Sequence, residues 1–326
     1  MNIATIQKIL TVEHVPDSDN LDVVTILGWH VVVKRNQFKT GDLCVYVPID
    51  SILPDKPEFD FMRSKNFRVK TVKLRGQISQ GICFPISILD LLDPFEGQDV
   101  SELLGVIHYE KPIPVQLQGM IRGGLPYGIP KTDEERIENC ENIINEIQGE
   151  DVYITTKLDG TSATYVMKDG DFHVCSRNNT YKEDVQNIYW QIAKKYNLMD
   201  KLKTYNIAIQ GEIIGPSIQK NRLNLKEPDF FVFNMINLDT MKYLSYMDIR
   251  IFVLRLGLKM VPVEYIGPFR FNIKQLKEFA HGYYEGTKNL KEGIVVRSIE
   301  ERYSNILRGR TSFKVVDSEF LLRNGE

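Results

Sequence analysis

The sequence is sparing with the residues that build metal centres and disulfide frameworks. Its four cysteines, Cys44, Cys83, Cys140 and Cys175, stand far apart, with no CxxC and no Cys/His spacing that would make a zinc site. The five histidines are scattered without an HExxH, which excludes the helix-borne zinc-hydrolase pattern and gives no histidine a chemical role. Long apolar runs are missing, so no segment reads as a membrane span. The opening residues, MNIATIQKIL, mix polar side chains in and lack the pattern of a signal peptide. The expectation is a soluble, cytoplasmic protein with reduced, buried thiols and no membrane partner. Charge of one sign is equally absent: 41 Lys and Arg oppose 43 Asp and Glu, for a net charge of -2. No global field draws the chain to a polyanion, so nucleic acid would have to be held by local basic patches.

One such patch runs from Arg63 to Arg75. In RSKNFRVKTVKLR the residues Arg63, Lys65, Arg68, Lys70, Lys73 and Arg75 are basic and nothing is acidic. A solvated strand face has the same composition. The functional reading makes Arg68, Lys70, Lys73 and Arg75 a grip on nucleic-acid phosphates.

With 326 residues, 43% hydrophobic and 26% charged, the chain can bury two cores of ordinary domain size. Residues 1–92 read as short strands at 21–26, 30–34, 43–48, 69–74 and 81–85, separated by turns at Gly28, Lys39-Thr40-Gly41-Asp42 and Arg75-Gly76. Together with a short helix at 86–92 they predict an OB-like β-barrel, although an SH3-like barrel would leave almost the same pattern. From 93 to 130 the residues Pro94, Pro112, Pro114, Pro126 and Pro130 and the pair Gly123-Gly124 mark an ordered connector. A helix is predicted at 133–147, where Thr132 and Glu135 fit a capping box and Ile137, Ile143, Ile144 and Ile147 form an apolar stripe. Further on, strands at 152–156, 162–167, 172–175, 207–213, 230–236, 261–266, 293–297 and 312–316 alternate with helices at 183–196, 247–256 and 273–281, and Asp169-Gly170 makes a hairpin turn. The fold class is α+β, a barrel followed by a domain of antiparallel sheets with flanking helices.

The chemistry concentrates in this second part. Thr155-Thr156-Lys157-Leu158-Asp159-Gly160-Thr161-Ser162 contains KxDG, the string with which covalent nucleotidyltransferases present an amine to a nucleotide α-phosphate. By accident it would occur in roughly one chain in fifteen of this length on average residue usage, so its weight comes from the residues downstream of it. A lysine is a poor nucleophile while protonated, and neutralising it at pH 7 costs about 4–5 kcal/mol from its ordinary value. A divalent metal, Arg136 and Lys314 would each favour the neutral amine. In an extended segment Lys157 and Asp159 point the same way, which lets Asp159 hold metal-bound water beside the amine.

Glu212 follows Gly211 in an apolar strand, and Glu292 precedes the buried run Gly293-Ile294-Val295-Val296. One such glutamate is commonly structural. Two of them with a KxDG suit Mg²⁺ or Mn²⁺, whose sites take a few carboxylates and retained waters. Phe231-Val232-Phe233 puts two rings on one strand face, either as core or, for Phe233, as a stacking surface for adenine. Arg177 and Lys314 are cations near strand ends, free either to neutralise phosphate or to face water.

In this order the motifs resemble the covalent nucleotidyltransferase superfamily of ATP-dependent RNA and DNA ligases and mRNA capping enzymes, with its ATP-grasp-like ligase core. The resemblance makes Lys157 the acceptor of the nucleotide and Glu212 the glutamate of the third motif. It makes Phe233 the stacking aromatic, Glu292 the fourth-motif metal glutamate, and Lys314 the last-motif contact to the α-phosphate. Only 315–326 remain beyond Lys314, while a barrel precedes Lys157. That domain order looks like the RNA ligase 5 family, and the matches Pro130-Lys131-Thr132-Asp133-Glu134-Glu135-Arg136 and Leu74-Arg75-Gly76-Gln77-Ile78-Ser79-Gln80-Gly81 extend it. The resemblance implies that Arg136 assists with the ATP phosphates. The last motif departs from the usual KxK: it reads Ser312-Phe313-Lys314, and Arg308 or Arg310 are the candidate substitutes for the missing lysine.

The resemblance therefore implies three parts: an OB-fold-like domain at 1–92, a connector at 93–130 and a nucleotidyltransferase domain at 131–326. The activity it implies is that of an ATP-dependent RNA ligase of RNA repair, which joins 3′-hydroxyl and 5′-phosphate ends through a lysyl-AMP intermediate. ATP and Mg²⁺ or Mn²⁺ are the expected cofactors, nicked duplex or RNA ends the partner, and a monomer without protein partners the expected state. The expected ATP contacts are Arg136, Lys157, Arg177, Glu212, Phe233 and Lys314, and the expected metal contacts Asp159, Glu212 and Glu292. The alternatives are a DNA ligase, a ligase needing RNA only on the 3′-hydroxyl side, a capping guanylyltransferase, and an inactive nucleic-acid-binding protein.

Overall fold

A computed structural model describes residues 3–16, 18–113 and 115–325. The chain forms two compact units, one of Met1–Pro112, Ile137–Glu141 and Ser318–Glu326, the other of Ile113–Arg136 and Asn142–Asp317. These boundaries differ from the sequence expectation. Residues 93–112 belong to the first unit because Val100, Leu104 and Val106 are buried in its core. The rest of the expected connector belongs to the second, apart from Pro114, which lies outside the described residues.

The first unit is built from short antiparallel strands, as expected. Leu43–Val47 lies between Thr5–Lys8 and Ile82–Pro85, and Thr11–His14, Leu21–Ile26 and Trp29–Lys34 form a meander. Alternation decides the faces: in Leu21–Ile26 every second side chain (Asp22, Val24, Ile26) is buried, as a strand with one wet face requires. The expected strand at 69–74 breaks at Lys70 into Arg68–Val69 and Thr71–Leu74, and the expected helix at 86–92 is only a 3₁₀ turn, Ile86–Ile88. Phe59, Val45, Val47, Val69 and Leu53 fill the core, each worth about 1.5–3 kcal/mol when fully removed from water.

Among the described residues the second unit holds two main sheets and the two-stranded ribbon of Tyr303–Ser304 with Gly309–Arg310. The larger runs, in spatial order, Ile121–Gly123, Thr180–Tyr181, Asp171–Ser176, Thr161–Lys168, Ile207–Ile214, Asp229–Asn237 and Lys242–Tyr243, with Lys259–Met260 added alongside Asp229–Asn237. The smaller runs Glu135–Arg136, Ser312–Val316, Gly293–Ser298, Asp151–Lys157 and Val263–Pro268. Helices Ile188–Lys195 and Tyr246–Leu256 lay Tyr189, Trp190, Ile192, Ile249, Val253 and Leu256 against the larger sheet's core. The Asp169-Gly170 hairpin forms with both residues at positive φ, 50° and 84°.

The helix expected at 133–147 does not form. Its backbone groups are taken elsewhere: Glu135–Arg136 pairs as a parallel strand with Phe313 and Lys314, and the Glu138 carbonyl accepts the Gly28 N–H at 2.8 Å. The capping threonine is diverted too, since Thr132 Oγ1 bonds Ser162 Oγ at 2.7 Å. Of the four isoleucines, Ile137, Ile143 and Ile147 are buried at 0% exposure and Ile144 is half-buried, but from short turns and the brief helix Ile143–Glu146. All four cysteines are free and buried, and no helix among the described residues is long and apolar enough to cross a membrane.

Candidate functional site

The site grows from the end of Asp151–Lys157. Lys157 is the strand's last residue and pairs with Gly293, the first of the neighbouring strand, so Glu292 stands just beyond that pair. Leu158-Asp159-Gly160 then carries the chain from the smaller sheet into Thr161–Lys168 of the larger one. Gly160 is required by space: a Cβ there would sit 2.3 Å from the Ile213 carbonyl oxygen and 2.9 Å from Glu212 Cγ. Gly160→Ala is expected to cost about 1–3 kcal/mol through overpacking against backbone, read as a lower urea midpoint at unchanged slope.

Cross-strand pairing places the cations. Thr155 pairs with Val295, Val295 with Lys314, and Lys314 with Arg136. Residues directly opposite share a face, and Lys157 is two residues from Thr155, so Lys157, Lys314 and Arg136 rise from the same side of the smaller sheet. Glu212 and Phe231 are opposite one another in the larger sheet, and Phe233 is the extra residue of a bulge between Gln210 and Gly211. Bulges re-aim side chains next to sites. Here Phe231 and Phe233, both half-buried, gather with Leu158, Met260 and Tyr284. The Arg297 guanidinium lies 5.7 Å from the Phe233 ring centre.

Lys157 Nζ contacts Glu292 Oε1 at 2.6 Å, with 26% of the lysine side chain still exposed. Burial alone would pull the amine down, yet Glu292, Glu212 and Asp159 outweigh it and hold Lys157 above the ordinary lysine value. This reverses the sequence expectation of a neutral amine. The charges of the three carboxylates outweigh burial, so Lys157 is held as an ammonium. Burial pushes Glu212 up to about 8, against the pull of Lys157, and Glu292 is the amine's direct partner. Burial, Arg136 and Lys157 together draw Lys314 down to about 8.

Asp159 is engaged differently from expectation: its carboxylate accepts a hydrogen bond from the Arg222 guanidinium, both side chains being close to one-eighth exposed. Among the described residues no group of three or more His, Cys, Asp or Glu is set to hold a metal ion directly. Asp159, Glu212 and Glu292 still act together on one ammonium. That all-oxygen set suits Mg²⁺ or Mn²⁺ bound through retained water. Arg177 is paired with Asp133 at 2.8 Å and only 39% exposed. Arg310, a candidate for the missing lysine, donates to Glu301 at 2.6 Å and to Asn234 at 3.0 Å and lies 3.8 Å from the Tyr243 ring centre. Arg308 sits in the turn between the short strands Tyr303–Ser304 and Gly309–Arg310.

Side chains the sequence did not signal complete the site. Arg222 is one. Glu264 is another: it is the extra residue of a bulge opposite Ile154 and Thr155, where it accepts from Thr156 Oγ1 at 2.7 Å and pairs with the buried Lys291 at 2.6 Å. Those two partners immediately precede Lys157 and Glu292. In the first unit, Arg68 pairs with Asp50 at 3.2 Å and lies over Tyr109 at 3.5 Å, so of the expected RNA-binding cations it is the least available. Lys70 is half-buried, and Lys73 and Arg75 are exposed on the hairpin formed by Thr71–Leu74 and Gln77–Gln80.

A family model described as RNA ligase matches residues 150–316, and one described as an OB-fold domain matches residues 3–86. No curated protein sequence matches the chain. Among solved structures, the Naegleria gruberi RNA ligase with PPi is 32% identical over 98% of both chains, with a TM-score of 0.89. A variant of that ligase with AMP and Mn is 32% identical at a TM-score of 0.90, and another with ATP and Mn is 31% identical at 0.87, each over 98% of both chains.

Proposed function

The chain belongs to the RNA ligase family, and we propose that it is an ATP-dependent enzyme sealing RNA 3′-hydroxyl and 5′-phosphate ends through AMP carried on Lys157. The observation that carries this reading is the Lys157 amine, 2.6 Å from Glu292 and on the same sheet face as Lys314 and Arg136. The reaction takes three transfers. The Lys157 nitrogen attacks the α-phosphorus of ATP, a P–N bond forms, the bond to the β-phosphate oxygen breaks, and pyrophosphate leaves. An RNA 5′-phosphate oxygen then displaces the lysine, giving an RNA with AMP at its 5′ end. Finally an RNA 3′-hydroxyl attacks that 5′-phosphate, loses its proton and releases AMP.

Arg136 and Lys314 supply positive charge for the phosphates, Phe233 and Phe231 a surface for the adenine, and Arg177 a further phosphate contact. Preorganised charge of this kind acts without rearrangement at the moment of reaction. Asp159, Glu212 and Glu292 would hold a divalent metal through its waters. When bound, it would supply positive charge that favours the neutral form of the Lys157 amine and stabilises charge on the α-phosphate. The Naegleria gruberi structures with ATP and Mn and with AMP and Mn support this pairing of nucleotide and metal.

The test is incubation with α-labelled ATP or GTP and Mg²⁺ or Mn²⁺, and then sealing of nicks with RNA or DNA on each side. A covalent adduct from ATP and preferential sealing of RNA support the proposal. No adduct would leave an inactive binding protein, equal use of GTP a capping guanylyltransferase. Equal sealing of all-DNA nicks would favour a DNA ligase, and a need for RNA on the 3′-hydroxyl side alone the narrower ligase.

The barrel cations make a separate expectation. Replacing Lys70 and Lys73 by glutamine should weaken RNA sealing and reduce the salt slope by about two units, one for each lost phosphate contact, while Lys157 labelling stays unchanged. Titrating sealing against salt concentration reads both effects.

A further inference from the structure

Tyr284 lies outside every motif. Its side chain is only 3% exposed, clustered with Leu158, Ile214 and Val261. Its hydroxyl meets three backbone groups: it donates to the Lys157 carbonyl at 3.0 Å and accepts the N–H of Asp159 and of Glu292, each at 3.1 Å. A phenol has one proton and a limited set of lone pairs, so its bonding capacity is spent on the backbone of three site residues.

The location explains why a side chain is needed there. The ladder between the two strands ends at Lys157 and Gly293. Past that point Asp159 and Glu292 lie outside the paired strands, and the Tyr284 hydroxyl ties their N–H groups to the Lys157 carbonyl. Tyr284 is itself fixed: its N–H donates to the Asn289 carbonyl at 3.0 Å and its carbonyl accepts from Thr287 Oγ1 at 2.9 Å. Asn289 in turn donates to the Arg222 carbonyl at 2.6 Å, and Arg222 grips Asp159. The loop thus holds the KxDG turn both directly and through Arg222.

We infer that Tyr284 is a positioning residue for nucleotidyl transfer, its hydroxyl fixing the backbone of Lys157, Asp159 and Glu292 so that amine and carboxylates meet in one register. This rests on the reading of Lys157 as the nucleophile. Tyr284→Phe removes the hydroxyl and keeps the ring. A misplacement of about 1 Å at a reacting group costs on the order of 10²-fold in rate. Tyr284→Phe should therefore slow formation of the lysyl adduct at saturating ATP by about 10²-fold, with the KM for ATP held within about threefold.

Val261→Ala, in the same cluster, serves as the control for lost stability, since it thins the packing and leaves the hydroxyl in place. Both variants are assayed well below the melting temperature of the weaker. The inference predicts that Val261→Ala labels within about threefold of the parent, even where its melting temperature falls as far. It is overturned if Tyr284→Phe labels at the parent rate, if its loss lies in KM alone, or if the two variants slow in step with their melting temperatures. A parent protein that takes no label at all would instead overturn the function on which the inference rests.

Discussion

Lys157→Ala is expected to abolish covalent labelling from α-labelled ATP and, with it, all sealing of RNA 5′-phosphate ends. The amine stands at the end of its strand as the group that forms the P–N bond, and alanine offers nothing in its place. The same variant should still seal RNA that already carries AMP on its 5′ end, because the last transfer uses the RNA 3′-hydroxyl and not the lysine. That split separates loss of the nucleophile from loss of the fold. Removing Lys157 also leaves Glu292 without its 2.6 Å partner, and the cation's contribution is fully present at neutral pH because both its folded and unfolded values lie far above 7. Some loss of melting temperature should therefore accompany the loss of labelling. A Lys157→Ala protein that still takes label would end the assignment.

Lys314→Ala should lower the rate of adduct formation by about 10²–10³-fold, the usual loss on removing one preorganised group facing developing charge. The pH dependence gives the sharper check. Lys314 is drawn down to about 8, so it carries its charge below that pH and loses it above. Lys157 works in the opposite sense, since it attacks only after losing its proton and becomes more reactive as pH rises. The profile of kcat/KM against pH, which reports the free enzyme, should accordingly lose one unit of slope at about pH 8, whatever value Lys157 takes. Lys314→Arg keeps its charge throughout, so its profile should pass pH 8 with no such break. A break that persists in Lys314→Arg would assign it to another group, with Glu212, also held at about 8, as the first to examine.

Alternation and motif order carried far in the sequence. The strands that hold Lys157, Glu212, Phe233 and Lys314, and the one that starts just after Glu292, lie within a residue or two of their predicted positions, because each is a buried run whose pattern depends on little beyond itself. What failed depended on partners distant in the chain. The apolar stripe at 133–147 has helical spacing, but the pairing of Arg136 with Lys314 could not be read from it. The bulges that aim Phe233 and Glu264 shift a ladder by one residue and leave no signature in composition. The charge state of Lys157 was misjudged for a related reason: the sequence gives the list of charges, whereas their distances decide which sign prevails.

The path of the chain bears on any attempt at dissection. The first unit is entered three times, by Met1–Pro112, by Ile137–Glu141 and by Ser318–Glu326, the last containing the helix Ser318–Asn324. A single cut at residue 112 would thus strip the amino-terminal fragment of its carboxy-terminal helix, and stopping at Asp317 would trim the part that carries no nucleophile. Self-sufficient halves would have to be obtained by rewiring the polypeptide, with the distant segments rejoined through new linkers.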